Sequence, residues 1–264
     1  MRRALLLVSL LLIAALPAAA SAPAATAKGH FLARELAFEG HTFRYQVFVP
    51  AEGAAQPRPL VLFLHGSGER GDDGIKPTEA GLGPWLKQNL DSFPALVVFP
   101  QVPENEEWRG RNARMALAVL DSAIREFGAD PARIYLTGMS MGGYGSWELA
   151  LTRPRQFAAI VPICGALRAP RDERPGLIVD QVAQSADPYL DTVTRLQHVP
   201  TWIFHGALDD LVPTEDDRAL ARASQRVGAG FRYTEYPDTN HNAWDPTYRN
   251  PAIWQWMFSQ RQPL

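Results

Sequence analysis

The chain has 264 residues, 26 Lys+Arg against 28 Asp+Glu, a formal net charge of −2, 46% hydrophobic residues and one cysteine. An ordinary apolar fraction with almost no net charge excludes a disordered chain, and the missing basic excess argues against a nucleic-acid-binding surface. The lone Cys164 permits neither an internal disulfide nor a zinc site built on several thiolates, and the length suits one large α/β domain.

Met1-Arg2-Arg3 opens the chain, Ala4 to Leu16 is apolar, and the small residues Ala18 to Ala22 follow. The apolar run is short of the roughly 20 residues a membrane span needs, so residues 1–22 are expected to be a secretory signal peptide. Cleavage after Ala20 or Ala22 satisfies the small-x-small rule, and the protein is expected to be secreted or periplasmic with no stable membrane anchor. Residues 23–31 read as a flexible leader and 32–264 as a single catalytic domain.

Leu32–Phe38 and Thr42–Val49 alternate at period two around Glu39-Gly40-His41, which predicts an antiparallel hairpin. Leu60–Leu64, Ala95–Phe99, Arg133–Thr137, Phe157–Ile163, Thr201–Phe204 and Phe231–Tyr236 read as strands, several of them continuous apolar runs suited to burial on both faces. Between them, Glu79–Leu90, Asn112–Phe127, Met141–Thr152 and Glu215–Val227 read as helices, and Asn250–Gln260 closes the chain as another. Strands alternating with helices predict a mostly parallel twisted sheet with helices on both faces. Gly165 to Tyr189 is a long connection, a length often used for lids and binding loops.

Gly138-Met139-Ser140-Met141-Gly142 matches G-x-S-x-G between a predicted strand and a predicted helix. That is the context of a nucleophile elbow, in which a sharp turn lifts a serine above the sheet edge. The N–H of Met141 then lies at a helix N-terminus, where backbone donors face a developing oxyanion. In such a site the acid and then the histidine follow the serine in chain order. Of six histidines, His30 lies in the leader, His41 in the hairpin turn and His198 at the entry to a strand, the wrong end for a site at the strands' C-terminal edge. His65 and His205 end strands and read as turn-shaping residues, which leaves His241 in the loop after the last strand. Asp209 and Asp210 compete as the acid.

Four stretches, Leu64–Gly71, Asp130–Ala150, Trp202–Pro213 and Tyr236–Trp244, together resemble the α/β-hydrolase superfamily, above all its secreted phospholipase/carboxylesterase and feruloyl-esterase-like group. That group is allied to dienelactone hydrolases and the prolyl oligopeptidase catalytic domain. The resemblance implies an α/β-hydrolase fold and a serine carboxylic ester hydrolase acting on a small or carbohydrate-linked ester. It places the acid of the H-G-x-x-D-x-x-V-P pattern on Asp209, giving Ser140, Asp209 and His241 as the catalytic residues. The second oxyanion donor falls on the N–H of Ser67, with Gly68 the alternative, and no metal or organic cofactor is implied. A prolyl-oligopeptidase-like peptidase and a catalytically silent binding module are the competing readings. Trp85, Trp108, Tyr144 and Trp244 are candidate pocket aromatics, whereas Trp147, Trp202, Trp254 and Trp256 read as core and Cys164 as an inert small hydrophobe.

Overall fold

A computed structural model describes residues 28–51 and 56–263. The expected signal peptide, residues 1–22, lies outside the described residues, as do residues 23–27 of the leader. The chain enters the fold through a hairpin of β1 (His30–Phe38) and β2 (His41–Val49), turned at Glu39-Gly40. His30 and Phe31, expected in the leader, therefore belong to a strand, and His41 is paired rather than in the turn. Packing explains the early start: the Phe31 ring lies 5.4 Å from Phe48 and 5.9 Å from Phe99, and the Gly29 N–H donates to the Leu90 carbonyl at 3.0 Å.

The remaining strands are β3 (Arg58–Leu64), β4 (Leu96–Pro100), β5 (Ala129–Met139), β6 (Ala159–Ile163), β7 (Trp202–Gly206) and β8 (Arg232–Tyr236). The helices are α1 (Leu82–Lys87), α2 (Gly110–Phe127), α3 (Met141–Thr152), α4 (Pro188–Leu196), α5 (Glu215–Val227), α6 (Trp244–Arg249) and α7 (Pro251–Ser259). Eight strands form one sheet in the order β1-β2-β4-β3-β5-β6-β7-β8. β1, β2 and β4 are joined antiparallel, and every pairing from β4 to β8 is parallel. This is the mostly parallel sheet that the periodicity predicts and the α/β-hydrolase fold that the resemblance implies.

Period-two alternation distributes each apolar run between two cores. Leu60, Leu62 and Leu64 of β3 and Leu96 and Val98 of β4 face one side, with Leu120 of α2, Leu149 of α3, Val193 of α4 and Leu220 of α5. Val61, Phe63, Val97 and Phe99 face the other, with Leu86 of α1, Tyr248 of α6 and Met257 of α7. All of these strand side chains are fully buried. α3 is different, because every residue from Met141 to Leu151 is buried and the helix has no solvent face. It runs directly beneath the chemistry, from the central strand.

Two helices were not expected. α4 lies at the end of the long connection, where the Asp187 carboxylate caps the Leu190 N–H at 3.0 Å and Pro188 takes the first turn. The Asp-Pro pair signals a helix start, but it follows a polar loop that masks it. α6 is a single six-residue stretch, too short for periodicity to show. α1 is shorter than predicted and begins only at Leu82, after a 3₁₀ turn at 76–78.

Phe63 carries the sharpest test of this core, since its ring packs 5.2 Å from Phe99 and 6.0 Å from Tyr248. Phe63→Ala should cost about 3–5 kcal/mol of stability, read as a lower urea midpoint at unchanged slope.

Candidate active site

Ser140 is the single residue between the end of β5 and the start of α3, with φ 55° and ψ −118°. A non-glycine residue in that region is strained and persists only when its surroundings hold it. Here the Ser140 N–H donates to the Ile163 carbonyl at 2.9 Å, and its carbonyl accepts from Gly143 at 2.7 Å and Tyr144 at 3.2 Å. The turn is also sterically specified: a Cβ at Gly142 would lie 1.9 Å from the Leu64 carbonyl oxygen. β5 and α3 can meet β3 this closely only because position 142 has no side chain. The Met141 N–H opens α3 and is one of its orphan donors. Ser67 opens a 3₁₀ turn at 67–69 directly after β3, beside Gly66, whose added Cβ would lie 3.6 Å from the Ser140 Cβ. Two helix starts thus flank the serine.

The structure brings the three expected residues together. His241 Nε2 lies 2.8 Å from Ser140 Oγ, and its Nδ1 lies 2.6 Å from Asp209 Oδ2. A carboxylate at Nδ1 fixes the tautomer with the proton on Nδ1, which leaves the Nε2 lone pair for the serine hydroxyl. The other Asp209 oxygen accepts the N–H groups of Leu211 and Val212, both at 2.9 Å. Asp210, the neighbour that competed for this role, is exposed and takes no part in the chain. The loop holding His241 is zipped to the Asp209 loop, with Ala207 N–H on the Tyr236 carbonyl at 2.9 Å and Leu208 N–H on Thr239 at 3.0 Å. A Cβ at Gly206 would strike the Asn240 carbonyl oxygen at 2.0 Å, so this approach also requires glycine. Cys164 is more than filler: its Sγ–H donates to the His241 carbonyl at 3.1 Å.

His205, read from sequence as a turn-shaping residue, belongs to the same network. Its Nε2 faces Asp209 Oδ2 at 3.1 Å and the Val212 carbonyl at 2.9 Å, while Nδ1 faces Asp217 Oδ2 of α5 at 2.7 Å. His205, Asp209 and Asp217 side chains are all fully buried. Burial opposes a charged imidazole, but the hydrogen bonds to Asp209 and Asp217 outweigh it and raise His205 to about 10. Asp209 is pushed up by burial and pulled down further by His205, His241 and the Val212 N–H, so it stays below the usual carboxylate range. Burial raises Asp217 to about 6 against the pull of His205. The sequence did hold a signal for this pair, because Asp217 sits on the apolar stripe of α5 with Leu220 and Ser224. His65 does shape its turn: it accepts the Val102 N–H at Nε2, faces the Gly66 carbonyl with Nδ1, and is lowered to about 4 by burial.

Ser140 and His241 open on a cavity of about 230 Å³ lined also by Ser67, Glu69, Arg171, Arg174, Leu177 and Trp244. Of the four candidate pocket aromatics, only Trp244 lines it, standing edge-on to His241 at 5.4 Å. Trp108 is buried beneath the β3 turn, donating to the His65 carbonyl at 2.9 Å. Tyr144 is buried within α3 and donates to the Arg168 carbonyl at 3.2 Å. Trp85 packs far away on Trp254 at 5.3 Å and Phe93 at 5.4 Å. Trp108 and Tyr144 face the core, and Trp85 is half-buried at its edge.

Cys164, His205 and Asp209 place three metal-ligand-type atoms within 4.8 Å of one another. Their donor atoms are engaged: the imidazole bridges two carboxylates, and the thiol, raised by burial, donates to a carbonyl. A thiol so held against ionisation is a poor ligand.

This fold defines the class as an α/β-hydrolase, with a serine–histidine–carboxylate chain at the C-terminal edge of its parallel strands. A sequence model of the family described as "Putative esterase" matches residues 87–247. The chain therefore belongs to this esterase family. It is 27% identical over 148 residues to "Putative esterase NocK" of Nocardia uniformis subsp. tsuyamanensis, spanning 53% of this chain and 43% of that relative. It is 26% identical over 224 residues to feruloyl esterase B of Neurospora crassa, covering 71% of each chain. A solved thermostable esterase superposes with TM-score 0.73 at 31% identity, over 88% of this chain and 63% of that one. The chain thus spans well under two thirds of the NocK relative and slightly under two thirds of the thermostable esterase.

Asp209→Asn should lower kcat by several orders of magnitude, because the amide presents the wrong donor pattern to His241. Asp210→Asn should leave kcat within a few-fold, and the reverse result in steady-state kinetics would move the acid by one residue. The His205 ion pair also predicts a pH dependence of stability. With a folded value of about 10 and an unfolded value of about 6.5, its contribution is complete below pH 6.5 and is lost as pH rises towards 10. The urea midpoint should fall between pH 7 and pH 10, and His205→Gln should be less stable at pH 7 with a flatter profile.

Proposed function

We propose that the protein is a serine carboxylic ester hydrolase that works through an acyl-enzyme on a small ester. The observation carrying this reading is the continuous hydrogen-bonded line from Ser140 through His241 to the buried Asp209 carboxylate, opening on a cavity. Ser140 Oγ attacks the ester carbonyl as His241 Nε2 takes its proton. The N–H groups of Met141 and Ser67 receive the oxyanion. His241 then protonates the leaving alcohol, and water, activated by the same imidazole, releases the acid.

The buried carboxylates favour the proton transfer. Asp209 accepts from His241 at 2.6 Å, so a proton taken by His241 from Ser140 places positive charge directly beside a carboxylate already in position. The cavity of about 230 Å³ is smaller than the roughly 300–1,000 Å³ of drug-sized ligand sites, which favours a short acyl group. Among the described residues no helix is long and apolar enough to cross a membrane, and one relative is named an uncharacterized secreted protein. The secreted relative accords with export directed by residues 1–22.

Ser140→Ala should remove covalent labelling by a fluorophosphonate and lower kcat on p-nitrophenyl acetate by several orders of magnitude, with the fold retained. Full labelling and turnover in that variant would refute the assignment. Absence of labelling in the folded wild-type protein would instead favour a silent binding module.

A further inference from the structure

The connection between β6 and α4 carries three arginines to the neighbourhood of the site, and their pairing differs. Arg168 is tied down: its Nη2 lies 3.0 Å from Asp216, a buried carboxylate that also accepts the N–H groups of Leu167 and Arg168 at 2.9 Å. Its charge is matched locally. Arg174 is partly matched. Its Nη2 donates to Glu107 at 3.1 Å and to the Ser67 hydroxyl at 3.1 Å. The same Glu107 oxygen also takes the Arg70 guanidinium at 2.7 Å. One carboxylate therefore serves two guanidinium groups. The Nε and Nη1 donors of Arg174 have no partner among the described residues. Arg171 is exposed, and its guanidinium has neither a hydrogen-bond nor an ion-pair partner among the described residues.

Arg171 and Arg174 both line the cavity into which Ser140 and His241 open. The only carboxylate in that lining is Glu69, against two guanidinium groups, and burial raises its pKa. Apart from these and His241, no acidic or basic residue lines the cavity. An apolar acyl pocket has no use for two guanidinium groups with open donors. Such groups favour a planar anion, which they bind through charge-assisted hydrogen bonds.

We propose that Arg171 and Arg174 form a carboxylate-binding subsite in the Ser140 cleft, so that the protein acts on esters whose acyl part ends in a free carboxylate. This rests on the reading of Ser140 as a nucleophile towards esters. The half-ester of a short dicarboxylic acid has the required chemistry: an ester carbonyl for Ser140 and a carboxylate a few atoms away for the arginines. Its modest size suits the cavity. Arg174 also links this recognition to the reaction. The guanidinium that meets the carboxylate holds the Ser67 hydroxyl, and the Ser67 N–H is the second oxyanion donor. Substrate charge would thereby steady the turn that stabilises the transition state.

The test measures how monomethyl glutarate and dimethyl glutarate each inhibit p-nitrophenyl acetate hydrolysis. The two compounds differ by one methyl group and one charge. In the wild-type protein the monomethyl ester should have the lower Ki by about tenfold at low salt. The difference should shrink at 0.5 M NaCl, as partly exposed charges are screened. In the double variant Arg171→Gln, Arg174→Gln the two Ki values should converge, whatever the residual rate on p-nitrophenyl acetate. Arg174→Lys should keep part of the preference, because it keeps the charge and loses the fork. Equal Ki values in the wild-type protein, or a preference that survives the double substitution, overturn the subsite and leave the ester reading intact. A wild-type protein that neither hydrolyses p-nitrophenyl acetate nor labels with a fluorophosphonate overturns the ester reading and the subsite with it.

Discussion

The site depends on one buried carboxylate shared between two imidazoles. Asp209 Oδ2 faces His241 at 2.6 Å and His205 at 3.1 Å, with no exposure of its side chain to solvent. A lone carboxylate there would be expensive to ionise. Its four hydrogen-bonding neighbours hold it ionised, and ionised Asp209 is what orients His241. Remove the cation at His205 and two buried carboxylates, Asp209 and Asp217, are left without a counter-charge between them. Breaking a buried pair in this way typically costs about 3–5 kcal/mol. The acid is thus held by the body of the protein, through α5, as well as by its own loop.

The same dependence explains the backbone geometry. The Asp209 loop and the His241 loop lie close enough to exchange main-chain hydrogen bonds only because Gly206 lacks a side chain. Ser140 reaches Nε2 only because β5 and α3 close tightly over β3, where Gly142 meets the Leu64 carbonyl. Strain at Ser140, an α3 buried from Met141 to Leu151 and two close-approach glycines are separate features in the sequence. In the folded chain they serve one distance, the 2.8 Å between Ser140 Oγ and His241 Nε2.

The parts of this structure that were readable in the sequence are those set by local periodicity and by a rigid motif. The apolar runs at 60–64 and 95–99 became β3 and β4, and α3 and α5 have the predicted limits. Ser140 and His241 were legible because the elbow constrains three consecutive elements and chain order eliminates the other histidines. Asp209 needed the resemblance, since Asp210 has the same chemistry one residue away. What stayed hidden depends on which way a side chain points. Trp108 and Tyr144 lie in the right segments but turn into the core, and Trp85 packs half-buried on Trp254 away from the site. His205 ends a strand like His65, yet one faces carboxylates and the other a backbone amide. No single-sequence pattern separates them, although the acid on the buried stripe of α5 hinted at a buried cation nearby.

Ser140 and His241 are 101 residues apart in the chain. The serine follows the central strand β5, whereas His241 hangs from the loop beyond β8, the sheet's last edge strand to be synthesised. On the function proposed for Ser140, a chain lacking β8 and its loop has no base for the serine, so nucleophilic reactivity at position 140 would report completion of the fold.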